Sequence, residues 1–257
     1  MEFIDTHCHL QFEKLSDNLE NVIERAINIG VKRMVCVGTS LDDSRRCVEI
    51  ASKVDGVWAA AGSHPHEAEH FLKKKTAVND LQEMLKKPKI VAAGELGLDF
   101  YKNYAPKLEQ EKSLRLQIEA ALPSGLPFIF HIRDAWSDFW RIYDEYKNIR
   151  GVVHSFSSGT KQLDAALSRG LHIGLNGIMT FTYDEAQLEA ARQVPLDKLV
   201  LETDAPFLAP QPYRGQVCEP KHVVDTAGFL AKLRDQPLEE ISKATTSNAI
   251  NLFKLHD

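Results

Sequence analysis

Two histidines separated by one residue, His7 and His9, follow a short apolar run near the beginning of the chain. In a β-strand successive side chains point to opposite faces, so both imidazoles would lie on one face and Cys8 on the other. Imidazole is a common protein ligand for zinc and related divalent cations. The spacing alone is a weak signal, because polar residues after a strand are ordinary. The pair therefore raises a metal-site hypothesis that needs support from elsewhere in the chain.

That support comes from metal-capable side chains near the carboxyl ends of later apolar segments, namely His64, Glu95, His131, His154 and Asp204. Any one of these histidines alone would more often be a structural residue, so their repeated placement is the evidence. Together with the first pair, they supply more imidazoles and carboxylates than one closed tetrahedral site can use. Such a set suits two divalent ions with a bridging carboxylate and bound water.

The elements that must position these residues alternate along the chain. Apolar segments predict strands at residues 4–9, 34–37, 57–61, 90–93, 127–130, 151–153, 171–175 and 199–201. Helical periodicity predicts helices within residues 19–30, 40–54, 78–85, 114–121, 139–143, 163–170, 223–233 and 241–253. Alternation of this kind predicts a parallel sheet with helices outside it.

Eight repeats in 257 residues predict an α/β fold of the (β/α)8 TIM-barrel type, which typically has ~250 residues, as one domain over residues 1–257. In such a barrel the carboxyl ends of the strands share one mouth, where active sites lie. The alternative is an open doubly wound sheet. No G-x-G-x-x-G follows the first strand and no Walker-type loop occurs, so this alternative lacks support.

Composition limits the partners of the protein. The formal net charge is -5, which gives no long-range attraction to nucleic acid or an anionic membrane, so any basic footprint must be local. No apolar run is long enough to span a bilayer, and the acidic, strand-like start argues against a signal peptide. The four cysteines have no C-x-x-C spacing, which predicts reduced thiols and a cytoplasmic location. No obligate partner is evident, and we expect a monomer.

With these residues in view, the chain resembles the TatD-related metal-dependent hydrolases, a family of the amidohydrolase-like barrel group. The resemblance extends from the first strand to residues 248–253 and is specific because several motifs occur together. The matching stretches are Asp5-Thr6-His7-Cys8-His9, Gly62-Ser63-His64-Pro65-His66, Gly94-Glu95-Leu96-Gly97-Leu98-Asp99, His131-Ile132-Arg133, His154-Ser155-Phe156-Ser157 and Glu202-Thr203-Asp204-Ala205-Pro206.

The resemblance implies a metal-dependent deoxyribonuclease, of exonuclease type, that cleaves the phosphodiester bonds of DNA with two divalent ions (Zn²⁺, Mn²⁺ or Mg²⁺). Carried over to this sequence, His7, His9 and Asp204 would hold one ion. His131 and His154 would hold the other, and Glu95 would bridge the two. This chain would differ from amidohydrolase relatives in which a carbamylated lysine takes this place, because no lysine ends the fourth predicted strand here.

Other residues have predicted roles around the ions. Asp204 could accept the proton of the activated water in addition to binding metal. His64, Arg133 and Lys102 are candidates for binding phosphate oxygens, with Arg133 able to do so through two hydrogen bonds. Asp5 and Glu202 share strand faces with the ligands and could support them.

One region departs from the family pattern. Residues 214–220 read Arg-Gly-Gln-Val-Cys-Glu-Pro, where the family usually has Arg-Gly-x-x-Asn-Glu-Pro. Cys218 replaces an amide with a weakly hydrogen-bonding thiol, and Val217 stands where a basic residue is common. If this loop contacts substrate, polar recognition there is reduced.

Two other functions stay open at this point. A metal-dependent hydrolase of C–N or C–O bonds in a small molecule could use the same activated water. A non-catalytic metal-binding protein would be expected to have lost ligands, and the set here is complete. Cations near the ions favour phosphodiester chemistry, so Arg133 and Lys102 favour the nuclease.

Overall fold

A computed structural model describes residues 1–102 and 104–255. Its eight strands are β1 Phe3–Cys8, β2 Val31–Val37, β3 Val57–Ala61, β4 Ile90–Asp99, β5 Phe128–Arg133, β6 Gly151–Val153, β7 His172–Leu175 and β8 Leu199–Leu201. The strands form one sheet in chain order, from β1 to β8. Residue Cys8 at the end of β1 also forms a parallel bridge with Ala205, just beyond β8. This topology is that of a (β/α)8 barrel, so the predicted fold class is confirmed.

Helices occupy the connections between strands. They are α1 Glu13–Ser16, α2 Leu19–Asn28, α3 Leu41–Lys53, α4 Ala68–Lys73, α5 Ala77–Met84, α6 Lys107–Ala121, α7 Trp136–Tyr143, α8 Thr160–Leu167, α9 Glu185–Gln193, α10 Val223–Leu233 and α11 Leu238–Phe253. Every predicted helix is present, whereas α1, α4 and α9 were not predicted. None of the helices in the described residues has the length and hydropathy that a membrane span requires.

Two strands extend beyond their predicted carboxyl ends, since β5 continues through His131 to Arg133 and β4 is extended further still. The prediction ends the fourth strand at Gly94-Glu95, but β4 continues to Asp99 and pairs with β5 through Asp99. The register between these two strands shifts between Ala93 and Leu96, which is typical of an irregularity that leaves the strand intact. Glu95 therefore lies inside β4 and does not end it.

Contacts divide the chain into two compact units, one formed by Met1–Cys36 with His154–Asp257 and the other by Val37–Val153. In the first unit, Phe3, Met34 and Phe253 are among the fully buried side chains. In the second, Phe128 and Phe130 are buried with their rings stacked at 5.4 Å, and each such ring contributes about 1.5–3 kcal/mol by leaving water. The prediction of a single domain stays a prediction.

The beginning of α3 shows how polar residues fix a strand-to-helix connection. The Ser40 hydroxyl accepts a hydrogen bond from the Asp43 amide, as in a capping box. The Asp43 carboxylate accepts bonds from the amide and hydroxyl of Thr39. Bonds in both directions thus join the first turn of α3 to the residues before it.

Candidate metal centre

Three histidines of the first unit surround one carboxylate oxygen. The Nε2 atoms of His9, His7 and His154 lie 3.3, 3.7 and 3.9 Å from Oδ1 of Asp204. The rings of His7 and His154 are stacked with centroids 3.6 Å apart. All three imidazoles are almost completely buried. We call His7, His9, His154 and Asp204 the first cluster. The structure thus brings together the predicted ligands of this unit.

Backbone hydrogen bonds between β1 and the segment after β8 hold the first cluster in place. The Asp204 amide donates to the His7 carbonyl at 2.8 Å, and the His9 amide donates to the Ala205 carbonyl at 2.7 Å. His7, in β1, and His9, just beyond it, both direct Nε2 to Oδ1 of Asp204, while the thiol of Cys8 contacts the Val35 carbonyl. The predicted alternation of the His-x-His pair is therefore confirmed.

Two buried carboxylates support the first cluster. Oε1 of Glu202 lies 3.0 Å from Nδ1 of His154, which leaves Nε2 of that ring facing Asp204. Asp5 accepts hydrogen bonds from the hydroxyl and amide of Thr203 and from the His7 amide. Burial raises the pKa of the Asp5 carboxyl to about 8, although these hydrogen bonds oppose the change. Glu202 therefore fixes the orientation of a ring, and Asp5 joins β1 to the segment after β8.

A second group of imidazoles and carboxylates belongs to the second unit. His131 lies between two carboxylates, with Nδ1 3.4 Å from Oε2 of Glu95 and Nε2 3.3 Å from Oδ2 of Asp99. The same Asp99 oxygen lies 3.0 Å from Nε2 of His66, whose amide donates to Nδ1 of His64. The His64 and His131 rings are 4.4 Å apart. We call His64, His66, Glu95, Asp99 and His131 the second cluster.

Electrostatics within the second cluster follow from these contacts. Burial opposes charge on His131, but hydrogen bonds with Asp99 and Glu95 raise its pKa to about 9. Burial likewise opposes ionisation of Asp99, but its bonds with His131 and His66 lower its pKa well below the usual range. Burial, followed by the neighbouring His131, lowers the pKa of His64. The cluster therefore favours a neutral His64 beside an ionised Asp99.

The backbone of β4 explains why Glu95 and Asp99 face the same neighbours. A side chain on Gly97 would place its Cβ 1.8 Å from the His131 carbonyl oxygen, and the φ angle of Gly97 is +156°. Only glycine allows this close approach of β4 to β5. Residues two apart share a strand face, so Glu95, Gly97 and Asp99 lie on one side.

Asp99 and His66 were missed as members of the site. Both occur in motifs quoted above, but the strand was predicted to end at Glu95 and no role was assigned to His66. The two-residue alternation of Glu95, Gly97 and Asp99 was the signal that could have identified Asp99.

The predicted phosphate-binding cations lie beside the second cluster. Arg133 is exposed at the end of β5, and its guanidinium lies over the Tyr101 ring, 3.9 Å from the centroid. Lys102 is also exposed, with Nζ 5.4 Å from the same ring centroid. His64, in contrast, is buried inside the second cluster. The structure thus groups Arg133 and Lys102 around one aromatic side chain.

The loop that departs from the family pattern turns its thiol inward. Cys218 is completely buried, whereas Val217 is exposed. The other three cysteines are also buried. Burial raises the pKa values of the Cys8 and Cys218 thiols. Cys218 therefore does not offer its thiol to a ligand on the surface, and Val217 is the altered side chain that solvent reaches.

Donor atoms in the two clusters, and of Glu202 beside the first, lie close enough together to bind an ion. Within 4.8 Å of one another are atoms of His7, His154 and Glu202, atoms of His64, Glu95 and His131, and atoms of His64, His66 and Asp99. Imidazole with carboxylate suits zinc, manganese or iron, and carboxylate with water suits magnesium. A parallel βα fold with such clusters at its strand ends is of the kind found in metal-dependent hydrolases.

Comparison with known proteins identifies the family. The family model described as "TatD related DNase" matches residues 4–254. The chain is 35% identical over 254 residues to an uncharacterized metal-dependent hydrolase, YabD, of Bacillus subtilis, covering 98% of this chain and 99% of that protein. It is 33% identical to the 3'-5' ssDNA/RNA exonuclease TatD of Edwardsiella piscicida, over 98% and 99% of the two chains.

Solved structures agree with this result. The crystal structure of YjjV, a TatD homologue from Escherichia coli K12, superimposes with a TM-score of 0.91 at 29% identity, covering 99% of this chain and 98% of that one. The chain belongs to the TatD-related DNase family, and it is a metal-dependent hydrolase.

Proposed function

We propose that the protein is a deoxyribonuclease that hydrolyses phosphodiester bonds in DNA with two divalent ions. The exposed Arg133, two residues after His131 in β5, is the observation that most favours this substrate. A phosphodiester carries a negative charge that a guanidinium can bind through two hydrogen bonds, whereas an amide or a neutral ester has no such charge. The similarity to a protein named as a 3'-5' ssDNA/RNA exonuclease supports the same proposal.

The proposed ligands are the six residues predicted from the sequence. His7, His9 and Asp204 would hold one ion, His131 and His154 would hold the other, and Glu95 would contribute to both. His154 lies beside His7 and Asp204 in the first cluster, so its assignment to the other ion rests on the sequence prediction. Bound divalent ions would lower the pKa of a water molecule and polarise a phosphoryl oxygen. Asp204 accepts the proton of the attacking water, while Arg133 and Lys102 bind and orient the phosphate. His64, held neutral by burial, is a hydrogen-bonding partner for the same substrate.

We expect the purified protein to bind two divalent ions per chain. Its clusters supply more imidazoles and carboxylates than one ion can use. Elemental analysis after dialysis against manganese or zinc gives the ratio, and the His131→Ala variant should lose one ion. Replacement of the exposed His70 with alanine is the matched control and should leave the ratio at two. A ratio of two that survives loss of His131 would show that the ligand assignment is wrong.

The decisive assay for the proposed function compares substrates under several metals. Single-stranded and duplex DNA are supplied beside a small carboxylic ester and a small amide, with Mg²⁺, Mn²⁺ or Zn²⁺ in turn. Cleavage of DNA supports the nuclease. Turnover of the ester or amide, with every form of DNA left intact, would instead establish hydrolysis of C–O or C–N bonds.

DNA cleavage should weaken only gradually as the salt concentration increases. Arg133 and Lys102 would each neutralise about one phosphate, and each contact to a single strand contributes ~0.7 to the slope of log affinity against log salt. We therefore expect a slope of roughly -1.4, measured from KM between about 50 and 200 mM salt. A slope several times steeper would reveal a basic track outside these two residues.

Asp99→Asn should weaken metal binding while leaving the fold intact. Asp99 contacts both His131 and His66, and loss of a carboxylate that orients a ligating imidazole typically costs 10–100-fold in metal affinity. Titration with Mn²⁺ should show this loss, and excess metal should restore much of kcat. The control is Asp138→Asn on α7, which changes a half-buried residue whose carboxylate contacts Arg141 outside both clusters. Unchanged metal affinity in Asp99→Asn would exclude the orienting role.

A further inference from the structure

The loop after β4 carries two tyrosines whose rings are exposed. Tyr101 is 55% exposed and Tyr104 is 67% exposed. Tyrosine rings usually bury much of their apolar surface, so two exposed rings three residues apart need a reason. Each ring is nevertheless in contact on one side, Tyr101 with the Arg133 guanidinium and Tyr104 with the edge of His66, at 4.7 Å between ring centroids. More than half of each tyrosine is therefore open to solvent although its ring has a neighbour.

Hydrogen bonds hold the described residues of this loop beside the second cluster. The amides of Tyr101 and Lys102 donate to Oδ1 of Asp99, at 3.0 and 3.2 Å. Gln110, on α6, donates from Nε2 to the carbonyls of Asp99 and Ala105, at 2.9 Å each. The other Asp99 oxygen contacts His131 and His66. One carboxylate thus joins the loop to the imidazoles of the site.

The charge around Tyr101 is positive. Arg133 lies over its ring, and the ammonium group of Lys102 is 5.4 Å from the ring centroid. A cation over an aromatic face is stabilised by the quadrupole of the ring. The same cations would lie near the phosphates of a strand whose base stacks on that ring. Aromatic rings combined with cations are how proteins bind single-stranded nucleic acids, because every base has a face that can stack.

From these contacts we infer that Tyr101, supported by Arg133, is a stacking site for one unpaired base of a single-stranded nucleic acid. The inference rests on the proposed function and assigns Tyr101 as a residue that would select strands with free bases beside the bond that is cut. In a duplex the bases are already paired and stacked, so Tyr101 gains little from them. Tyr104, held against His66, flanks this site.

Equilibrium binding of labelled oligonucleotides tests the stacking site without requiring turnover. The probe is a fluorescein-labelled oligothymidylate, compared with the same strand carrying base-free tetrahydrofuran nucleotides at its 3' end. Anisotropy is measured for Glu95→Ala, which prevents cleavage, with and without the additional change Tyr101→Ala. Loss of one stacked base lowers affinity about 5- to 100-fold, so Tyr101→Ala should weaken binding of the normal strand by that factor.

The losses of affinity caused by Tyr101→Ala and by removing the bases from the strand should not be additive. If Tyr101 holds a base, the protein that retains Tyr101 should bind the base-free strand more weakly than the normal strand. The Tyr101→Ala variant should bind the two strands with nearly equal affinity, because the stacking contact is already lost. Tyr101→Phe should retain affinity because it keeps the ring. Tyr183→Ala, at a tyrosine that is 99% exposed on another loop, is the matched control and should bind normally.

The outcomes separate this inference from the proposed function. Additive effects, or full binding by Tyr101→Ala, would overturn the stacking site even if the protein cleaves DNA. Non-additive effects in a protein that cleaves no DNA would support the stacking site and contradict the nuclease. Failure of every oligonucleotide to bind would overturn both.

Discussion

Glu95→Ala should reduce hydrolysis by more than about 10³-fold, whereas Arg133→Ala should reduce it by roughly 10- to 100-fold. Glu95 is the proposed shared ligand, so its loss removes the activated water that supplies the nucleophile, an effect in the upper range of acid–base contributions. Arg133 contributes charge-assisted hydrogen bonds to the phosphate, worth about 1.5–3 kcal/mol. Steady-state rates at saturating metal measure both.

Two variants of exposed residues control for the loss of charge. Glu83→Ala on α5 removes a carboxylate that is paired only with Lys86 in the described contacts, and Arg192→Ala removes a guanidinium on α9. Both should retain the rate of the natural sequence. Equal losses in Glu95→Ala and Arg133→Ala would contradict a shared-ligand role for Glu95.

Chelation of divalent ions should abolish hydrolysis and lower the melting temperature by about 5–10 °C. Ligand present at 100 times its Kd stabilises a folded protein by about 2.7 kcal/mol, and 1 kcal/mol shifts Tm by about 2–4 °C in a chain of this size. The closely stacked imidazoles of His7 and His154, with the buried carboxylate of Glu202 beside them, are the groups that bound ions would stabilise. Melting curves with and without EDTA measure the shift.

Readdition of excess Mn²⁺ or Zn²⁺ should restore both the activity and the melting temperature. In Asp204→Ala the shift caused by EDTA should be much smaller, because a ligand is missing. A large EDTA shift that persists in this variant would place the stabilising ion outside the first cluster.

Much of the fold could be predicted because periodicity is local. Apolar runs located every strand, and the His-x-His spacing correctly placed two imidazoles on one face. The carboxyl end of β4 could not be located, because glycines at 94 and 97 normally signal a strand end. Here they permit β4 to approach β5 closely. That is a contact between two strands, and a local sequence pattern does not reveal it. Helix α9 was missed for lack of a strong apolar stripe; only Ala190 and Ala191 of it are buried.

The site was predictable in its residue types but not in its pairings. Glu202 was expected to support the ligands, and its partner proves to be His154, a residue from another part of the chain. Asp99 connects His131 to His66, and only the folded chain brings those two rings to one oxygen. The number of ions, the monomeric state and the cytoplasmic location stay predictions.

The inward orientation of all four thiols makes the chain a convenient host for site-specific probes. Burial shields these sulfurs from reagents, and the raised pKa values of Cys8 and Cys218 keep those two protonated, whereas maleimides need an accessible thiolate. A cysteine introduced in place of the exposed Tyr183 would then be the preferred site of labelling. A fluorophore or spin label could be attached there without first removing any native cysteine.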